Sequence, residues 1–176
     1  YSDNAYSDSV IIPKTVTAGN TFAVTSIGKQ ASYGCWRLTS VTIPNSVTNI
    51  GSTAFADCQK LTEIKVDGDN STYTSENGVL LSKGRDNLIC CPIGKTGPYT
   101  IPESVKNIGN YAFFGCSGLT SVTIGNSVTT IGERAFYGCS SLTKAEFASV
   151  ESLYKMKFDN NSSNPLTYAN HLYING

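Results

Sequence analysis

The sequence predicts a right-handed, β-rich solenoid, and its internal repetition is the main reason. Residues 38–60, 96–118 and 119–141 read LTSVTIPNSVTNIGSTAFADCQK, TGPYTIPESVKNIGNYAFFGCSG and LTSVTIGNSVTTIGERAFYGCSS, which sets a period of 23 residues. A fixed period in the twenties is typical of architectures in which each unit packs against its neighbours. The chain is also only 15% charged and rich in Ser, Thr, Asn and Gly, a composition that favours short strands over long exposed helices.

The charge balance excludes several classes of partner. Lys plus Arg and Asp plus Glu each number 13, so the formal net charge is zero. We therefore expect no binding to nucleic acid or to an anionic membrane surface. No apolar run approaches the ~20 residues of a membrane-spanning helix, so we expect no membrane insertion in this segment. The opening YSDNAYSDS is not a signal peptide, and we expect any export signal or anchor to lie outside this segment.

The chain divides into six units when it is aligned on the apolar pair that precedes each turn. These units cover residues 10–37, 38–60, 61–95, 96–118, 119–141 and 142 onward. In unit two, Val41 and Ile43 form an alternating β-branched pair that predicts a short strand with one buried face. Pro44 ends that strand because proline cannot donate a ladder hydrogen bond. A second extended piece ends at Ile50-Gly51.

The segment that follows, which we call the corner, runs from residue 52 to residue 58. Its spacing predicts one helical or 3₁₀ turn with Ala54, Phe55 and Cys58 facing the core. Each unit therefore contributes a front strand, a back strand and a corner.

Two units carry insertions. In unit one, TVTAGNTFAVT predicts a small hairpin about Ala18-Gly19-Asn20. In unit three, two apolar strands joined by KGRD predict a hairpin at about residues 78–91, which interrupts the regular surface. We assign residues 1–147 to the solenoid and residues 148–176 to an irregular terminal unit or cap of the same domain.

The terminal segment is predicted to begin with a helix capped by Ser149. The apolar residues Val150, Leu153 and Tyr154 fall near one face of that helix, with Met156 close by. Residues 159–165 predict a loop, residues 166–169 another helical turn, and residues 171–174 a strand.

The pattern LTSVTIP-x-SV-x-x-IG-x-x-AF-x-x-C resembles the bacterial BspA-type leucine-rich repeat over residues 10 to about 147. This chain departs from the pattern at Ser32, where other units carry the corner phenylalanine, and at Gly125, which replaces proline. The resemblance implies a curved leucine-rich repeat solenoid that is secreted or displayed on a bacterial cell surface. It also implies a role in adhesion and in recognition of host or matrix proteins.

Four cysteines share one repeat position and should form a column through the stack: Cys35, Cys58, Cys116 and Cys139. Metal binding and disulfides are alternatives, but no C-x₂-C pair is present and lateral pairing is geometrically awkward. We therefore predict small buried thiols that act as hydrophobes. Cys90-Cys91 is vicinal, and alternation should bury one thiol and expose the other.

The sequence contains no motif that predicts catalysis or a cofactor. The one histidine, His171, has no nucleophile signature nearby, and no G-x-S-x-G elbow is present. Gly94-Lys95-Thr96 lacks the first glycine of a phosphate-binding loop, and residues 67–78 lack the glycine and glutamate of a calcium loop. We expect no enzyme activity, no cofactor and no metal.

Binding to a protein or glycan is the function that we predict, with a structural spacer or stalk as the alternative. The candidate ligand surface combines the exposed aromatic residues of the corners with the tip of the unit-three hairpin: Tyr33, Phe114, Tyr137, Lys83, Arg85 and Asp86. The outward strand positions, mostly threonine, lack an aromatic anchor and are expected to be solvated. Because the outermost strands leave open edges, end-to-end self-association of two copies is also possible.

Overall fold

The computed structural model describes residues 8–169 and 171–174. The chain forms a β-solenoid of about six turns with little helix. Its strands, in chain order, are β1 (Asp8–Ile11), β2 (Thr15–Ala18), β3 (Asn20–Ala23), β4 (Ser26–Ile27), β5 (Leu38–Ile43), β6 (Asn49–Ile50), β7 (Glu63–Val66), β8 (Tyr73–Glu76), β9 (Val79–Ser82), β10 (Asn87–Cys90), β11 (Gly97–Thr100), β12 (Asn107–Ile108), β13 (Leu119–Ile124), β14 (Thr130–Ile131), β15 (Lys144–Phe147), β16 (Lys157–Phe158) and β17 (His171–Ile174).

The front strands stack in two parallel sheets, in the orders β1-β5-β7 and β11-β13-β15-β17. Regular neighbours pair at the period of the sequence, so that Val41 lies beside Ile64 and Val122 beside Ala145. These side chains are fully buried because alternate residues of each strand face the core. The 23-residue period of the sequence thus fixes the register in which neighbouring front strands pair.

The back strands form a second stack, in which β10, β12, β14 and β16 pair in parallel and β4 pairs with β6. The glycine that follows each regular back strand crosses very close to the unit below it. A Cβ atom on Gly51 would lie 2.4 Å from the amide nitrogen of Lys29, and one on Gly132 would lie 2.7 Å from that of Asn110. Only glycine lets the two backbones approach this closely.

The corners differ in detail from the predicted helical or 3₁₀ turn. In unit two, Ala54 N donates to Gly51 O at 3.2 Å and Ala56 N to Thr53 O at 3.0 Å, which are two separate four-residue turns. The reason is a pair of left-handed residues in each corner, such as Thr53 (φ 57°) and Asp57 (φ 61°). A right-handed helix cannot continue through a residue with positive φ.

Both insertions form antiparallel strands. Strands β2 and β3 pair across Gly19, whose φ is +78°. In unit three, β8, β9 and β10 form a meander, of which the sequence analysis did not identify β8. The meander folds onto the stack, and Val79, Leu80 and Leu81 of β9 are all fully buried. Val79 and Leu81 face one core cluster and Leu80 faces the other, so β9 lies between the two halves of the core.

The C-terminal segment continues the stack instead of leaving it. Helix α1 (Val150–Lys155) replaces the turn between front and back strands, β16 pairs with β14, and β17 pairs with β15. Two 3₁₀ turns, Asn161–Ser163 and Pro165–Thr167, occupy the corner position.

Helix α1 begins as the sequence predicts, with Ser149 at the N-cap in a capping box. The apolar residues of α1 differ widely in exposure. Val150 and Tyr154 are 68% and 89% exposed, whereas Leu153 packs against the core and Met156 is buried. One turn and a half of helix presents only a narrow stripe to the core. Among the described residues, no helix has the length and apolarity needed to cross a membrane.

Candidate recognition surface

The corners stack into a ladder on one side of the solenoid. Alternate amides of one corner donate to carbonyls of the next, as in Tyr111 N to Glu133 O at 2.9 Å and Gly115 N to Tyr137 O at 2.8 Å. The same pairing joins the corners of units one and two. Because the backbone is tied from unit to unit, the corners hold their outward side chains on a fixed frame.

Three aromatic side chains form a continuous patch on this frame. Phe114 and Tyr137 are stacked, with ring centroids 5.5 Å apart and an interplanar angle of 17°. Tyr111 meets Phe114 edge to face at 5.7 Å. Tyr137 is 47% exposed and the other two rings are half-buried. The sequence analysis identified Phe114 and Tyr137 but missed Tyr111, whose position holds Thr53 in unit two and Arg134 in unit five.

A groove of about 770 Å³ opens beside this patch. Its lining includes Tyr33 of unit one, Ala56 and Asp57 of unit two, and Tyr111 and Phe114 of unit four. Ile93 of unit three lies between the two flanking corners and contributes the floor. We call this feature the corner groove. It brings Tyr33 and Phe114, both predicted ligand-binding residues, to the same concave surface.

The predicted hairpin-tip residues lie apart from the corner groove and make internal contacts. Lys83 Nζ donates to Gly68 O at 2.9 Å, and Arg85 Nη1 lies 3.2 Å from Glu76 Oε2. Asp86 accepts a hydrogen bond from Ser82 Oγ at 2.7 Å, which lowers the pKa of its carboxyl group. None of the three lines the groove among the described residues. The tip and the aromatic patch therefore do not form one site.

The cysteines of the predicted column have a recurring contact. Three of the four thiols donate to the carbonyl at the corner-phenylalanine position of the unit below: Cys58 to Ser32 O at 2.9 Å, Cys116 to Cys91 O at 3.7 Å and Cys139 to Phe113 O at 3.2 Å. Cys35 is half-buried and the other three are buried. At this repeat position, the cysteine side chain is thus small enough to be buried and donates a hydrogen bond to a corner carbonyl of the unit below.

Burial holds the thiols of Cys58, Cys90 and Cys139 in their protonated form. Burial raises the pKa of Cys58 to about 11 and that of Cys139 to about 12. Burial also raises the pKa of Cys90, at the groove, to about 12. Thiolate is the form that attacks electrophiles and binds metals. All six cysteines are free thiols, and no cluster of three metal-ligating side chains occurs within residues 8–169 and 171–174.

Comparison with known proteins decides the family. Residues 2–78 and 95–174 match the BspA type leucine rich repeat region in 6 copies. The chain belongs to the BspA-type leucine-rich repeat family. The unmatched internal segment of this BspA-type chain, residues 79–94, holds strands β9 and β10 and the beginning of the unit-three corner. No curated protein matches the sequence.

Solved structures share the BspA-type solenoid. A leucine-rich repeat protein from Eubacterium ventriosum is 29% identical with a TM-score of 0.76, over 95% of this chain and 42% of that one. The pneumococcal vaccine antigen PcpA is 16% identical with a TM-score of 0.57, over 100% of this chain and 74% of that one. A leucine rich cell surface protein from Faecalibacterium prausnitzii is 22% identical with a TM-score of 0.55, over 96% and 60%. The latter two show the fold alone.

These comparisons set the broad class of function. BspA-type repeats form a family of bacterial surface-type proteins, and such repeats are generally non-enzymatic scaffolds. Repeat proteins of this kind fit a binding or structural role. The chain spans less than half the length of the Eubacterium ventriosum protein.

Proposed function

We propose that this chain is a non-enzymatic recognition module, secreted or carried on a bacterial cell surface, that binds an extracellular protein or glycan. The observation that carries the proposal is the aromatic patch of Tyr111, Phe114 and Tyr137 beside the corner groove. The cell-surface description of the Faecalibacterium prausnitzii protein supports the location.

The energetics favour this patch over the strand face. Binding must offset several kcal/mol of lost rigid-body freedom before any affinity appears. Exposed aromatic rings gain free energy when they leave water, and rings held on a hydrogen-bonded frame lose little conformational freedom. On the strand face, Thr123 Oγ1 already lies 3.1 Å from Glu146 Oε2, and short hydroxyls exchange good hydration for modest hydrogen bonds. The patch is thus the stronger anchor.

The test is a screen of the purified chain against extracellular matrix proteins and a glycan array, followed by two double variants. Phe114→Ser with Tyr137→Ser removes two of the three rings of the patch, and Thr42→Ala with Thr123→Ala alters the strand face as a matched control. We expect only the first pair to weaken binding, by at least about ten-fold, since aromatic anchors contribute ~1.4 kcal/mol or more. Thermal melting confirms that both variants fold.

Two results contradict the proposal. If only the threonine pair weakens binding, the strand face is the ligand surface. If the folded chain binds nothing in either screen, the structural spacer becomes the better account.

A further inference from the structure

The corner groove exists because the unit-three corner is two residues short. In units four and five, the corner phenylalanine follows the back-strand isoleucine by five positions, as in Ile108 and Phe113. The amide that follows Ile108 donates to Leu88 O at 2.8 Å, so Leu88 holds the isoleucine position of unit three. Cys91 N donates to Ala112 O at 2.7 Å, which makes Cys91 the equivalent of Phe113. Because only three positions separate Leu88 from Cys91, the unit-three backbone keeps its place in the stack but its corner extends less far outward than the two that flank it.

The groove over this short corner has aromatic rings on both of its sides. Tyr33, which is 60% exposed, lines the side formed by units one and two, and Tyr111 and Phe114 line the side formed by unit four. Ile93 forms the floor, and a Cβ atom added to Gly115 would lie 2.7 Å from its Cδ1. The volume of about 770 Å³ is in the range of about 300–1,000 Å³ that is typical of ligand sites. A ligand built of linked rings would thus contact an aromatic side chain on either side.

The two sides of the groove also carry backbone groups without a partner. In unit two, the amides of Thr53, Phe55 and Asp57 have no hydrogen-bond acceptor among the described residues. In unit four, the carbonyls of Asn110 and Phe114 accept no hydrogen bond from the described part of the chain. Between units four and five, the equivalent groups pair with one another. The side of unit two thus offers only donors, and the side of unit four offers only acceptors.

This separation of donors from acceptors favours sugar hydroxyls over a peptide strand. An extended strand presents both N–H and C=O groups along each edge, so it does not match a side that only donates or only accepts. A hydroxyl group both donates and accepts, and it rotates to suit either partner. Hydroxyls of a pyranose ring can therefore accept from the unit-two amides and donate to the unit-four carbonyls. The C–H face of the same ring packs on the electron-rich face of an aromatic side chain.

The polar side chains of the groove fit a sugar that carries no charge. Gln30 and Gln59 line the groove, and the carboxamide of each offers both donors and an acceptor. The charged residues of the lining have both signs: Lys29, Asp57 and Arg134. Of these, Arg134 already has an acidic neighbour, since its Nε lies 3.8 Å from Glu133 Oε1. The remaining charges balance, so the groove has no excess charge with which to select an anionic ligand.

We propose that the corner groove binds an uncharged oligosaccharide. Its pyranose rings pack on Tyr33, Tyr111 and Phe114, and its hydroxyls pair with the open backbone groups of units two and four. This inference rests on the proposed recognition function and names the ligand class of the same site. The ligand lies over the short unit-three corner and does not enter the stack, because the backbone of unit three already occupies that rung.

The test screens the full chain on an array of uncharged and acidic oligosaccharides and measures the affinity of each hit by isothermal titration calorimetry. Tyr33→Ala and Tyr111→Ala each remove one ring from a side of the groove and leave the stacked pair of Phe114 and Tyr137 in place. Trp36→Ala is the matched control, because Trp36 is 56% exposed in the same unit as Tyr33 but is not among the described residues that line the groove. Circular dichroism melts establish that each variant folds.

We expect an uncharged oligosaccharide to bind the natural chain. Tyr33→Ala and Tyr111→Ala should each lower its affinity about ten-fold, and Trp36→Ala should change it by less than about two-fold. Deoxy analogues of the bound sugar, each lacking one hydroxyl, test the hydrogen bonds. At least one analogue should bind about ten-fold more weakly, because it leaves a backbone group of the groove unpaired in the complex. High salt should leave the affinity nearly unchanged, since screening weakens only interactions between charges.

Three outcomes overturn the inference, and each differs from a failure of the proposed function. If no oligosaccharide binds but a matrix protein does, and Phe114→Ser with Tyr137→Ser weakens that binding, recognition stands and the sugar is refuted. If a sugar binds the folded tyrosine variants as tightly as the natural chain, its site lies elsewhere. If only acidic sugars bind, or if every deoxy analogue binds equally well, hydroxyl recognition in the groove is wrong. If neither sugars nor proteins bind, the proposed function fails as well.

Discussion

The division of each corner into an inner and an outer ring can be tested by truncating neighbours in sequence, Phe136 and Tyr137. Phe136 is fully buried and stacks on Phe113 with centroids 4.8 Å apart and an interplanar angle of 6°. Removing a ring from such a site costs both its transfer free energy and the cavity left behind. We expect Phe136→Ala to lower the free energy of unfolding by about 3–5 kcal/mol.

Tyr137→Ala should cost much less, because 47% of that side chain is already in water. Half of an aromatic side chain corresponds to roughly 100 Å² of buried area, which at about 25 cal/mol per Å² gives an upper estimate of about 2.5 kcal/mol. Compact denatured chains bury some of this area as well, so we expect about 1–2 kcal/mol. Tyr154→Ala, with 89% of its side chain exposed, is the control and should change stability by less than about 0.5 kcal/mol.

Urea denaturation followed by far-UV circular dichroism measures all three variants. Unchanged slopes would show that the midpoints report stability differences directly. The difference between Phe136→Ala and Tyr137→Ala should also appear as roughly 4–10 °C in melting temperature. Equal losses from the two variants would refute the assignment of the inner and outer positions of the corner.

Three further predictions concern the frame that supports the surface. Asn70→Ala should lower the free energy of unfolding, measured by urea denaturation, by about 2–4 kcal/mol, because the fully buried Asn70 side chain makes four hydrogen bonds to backbone groups. A loss below about 1 kcal/mol would contradict that role. Gly132→Ala should lower the free energy of unfolding by about 1–3 kcal/mol in the same measurement, because its added Cβ would meet the backbone of the unit below. Gly125→Ala, with nothing within 4 Å of the added Cβ, is the control and should leave stability nearly unchanged. Equal effects would contradict the explanation that Gly132 is needed for the close approach of the two backbones. The thiols of Cys58 and Cys139 should react slowly in native protein and completely in urea. The pKa values of these two thiols rise from 9.0 in the unfolded chain to about 11 and about 12 in the folded protein, so their contribution to the free energy of unfolding is complete below about pH 9 and is lost as pH rises through 11 and 12. Urea midpoints measured across alkaline pH would detect this loss of stability. The pH dependence should be smaller in Cys139→Ala.

Most of the fold could be predicted from the sequence because the chain repeats with a fixed period. Once the apolar pairs are aligned every 23 residues, a parallel stack fixes which residues are neighbours, as with Val122 and Ala145. Strand β8 escaped notice because YTSE contains no apolar alternation, and its residues are only half-buried. The exposure of Val150 and Tyr154 could not be predicted, because periodicity alone does not say how much of a short helix contacts the core.

The corner groove was beyond the repeat pattern because it arises from missing residues. A signal was nevertheless present, since only two residues separate Leu88 from Cys91 where four separate Ile108 from Phe113. The equivalence of Leu88 with Ile108 and of Cys91 with Phe113 is established only by hydrogen bonds between the units. In the sequence, the long insertion before β10 obscures this alignment. Tyr111 was missed for a related reason, because its repeat position holds unlike residues in other units and shows no column.

Strand β9 gives the solenoid a cooperativity that a simple stack of repeats lacks. In a stack whose units contact only their nearest neighbours, the ends can fray one unit at a time. Here Leu80 completes the core of the N-terminal half, while Val79 and Leu81 complete that of the C-terminal half. Because unfolding of either half would expose β9 side chains that complete the core of the other, we expect the two halves to melt together. We also expect a break in the chain within this strand to destabilise both halves.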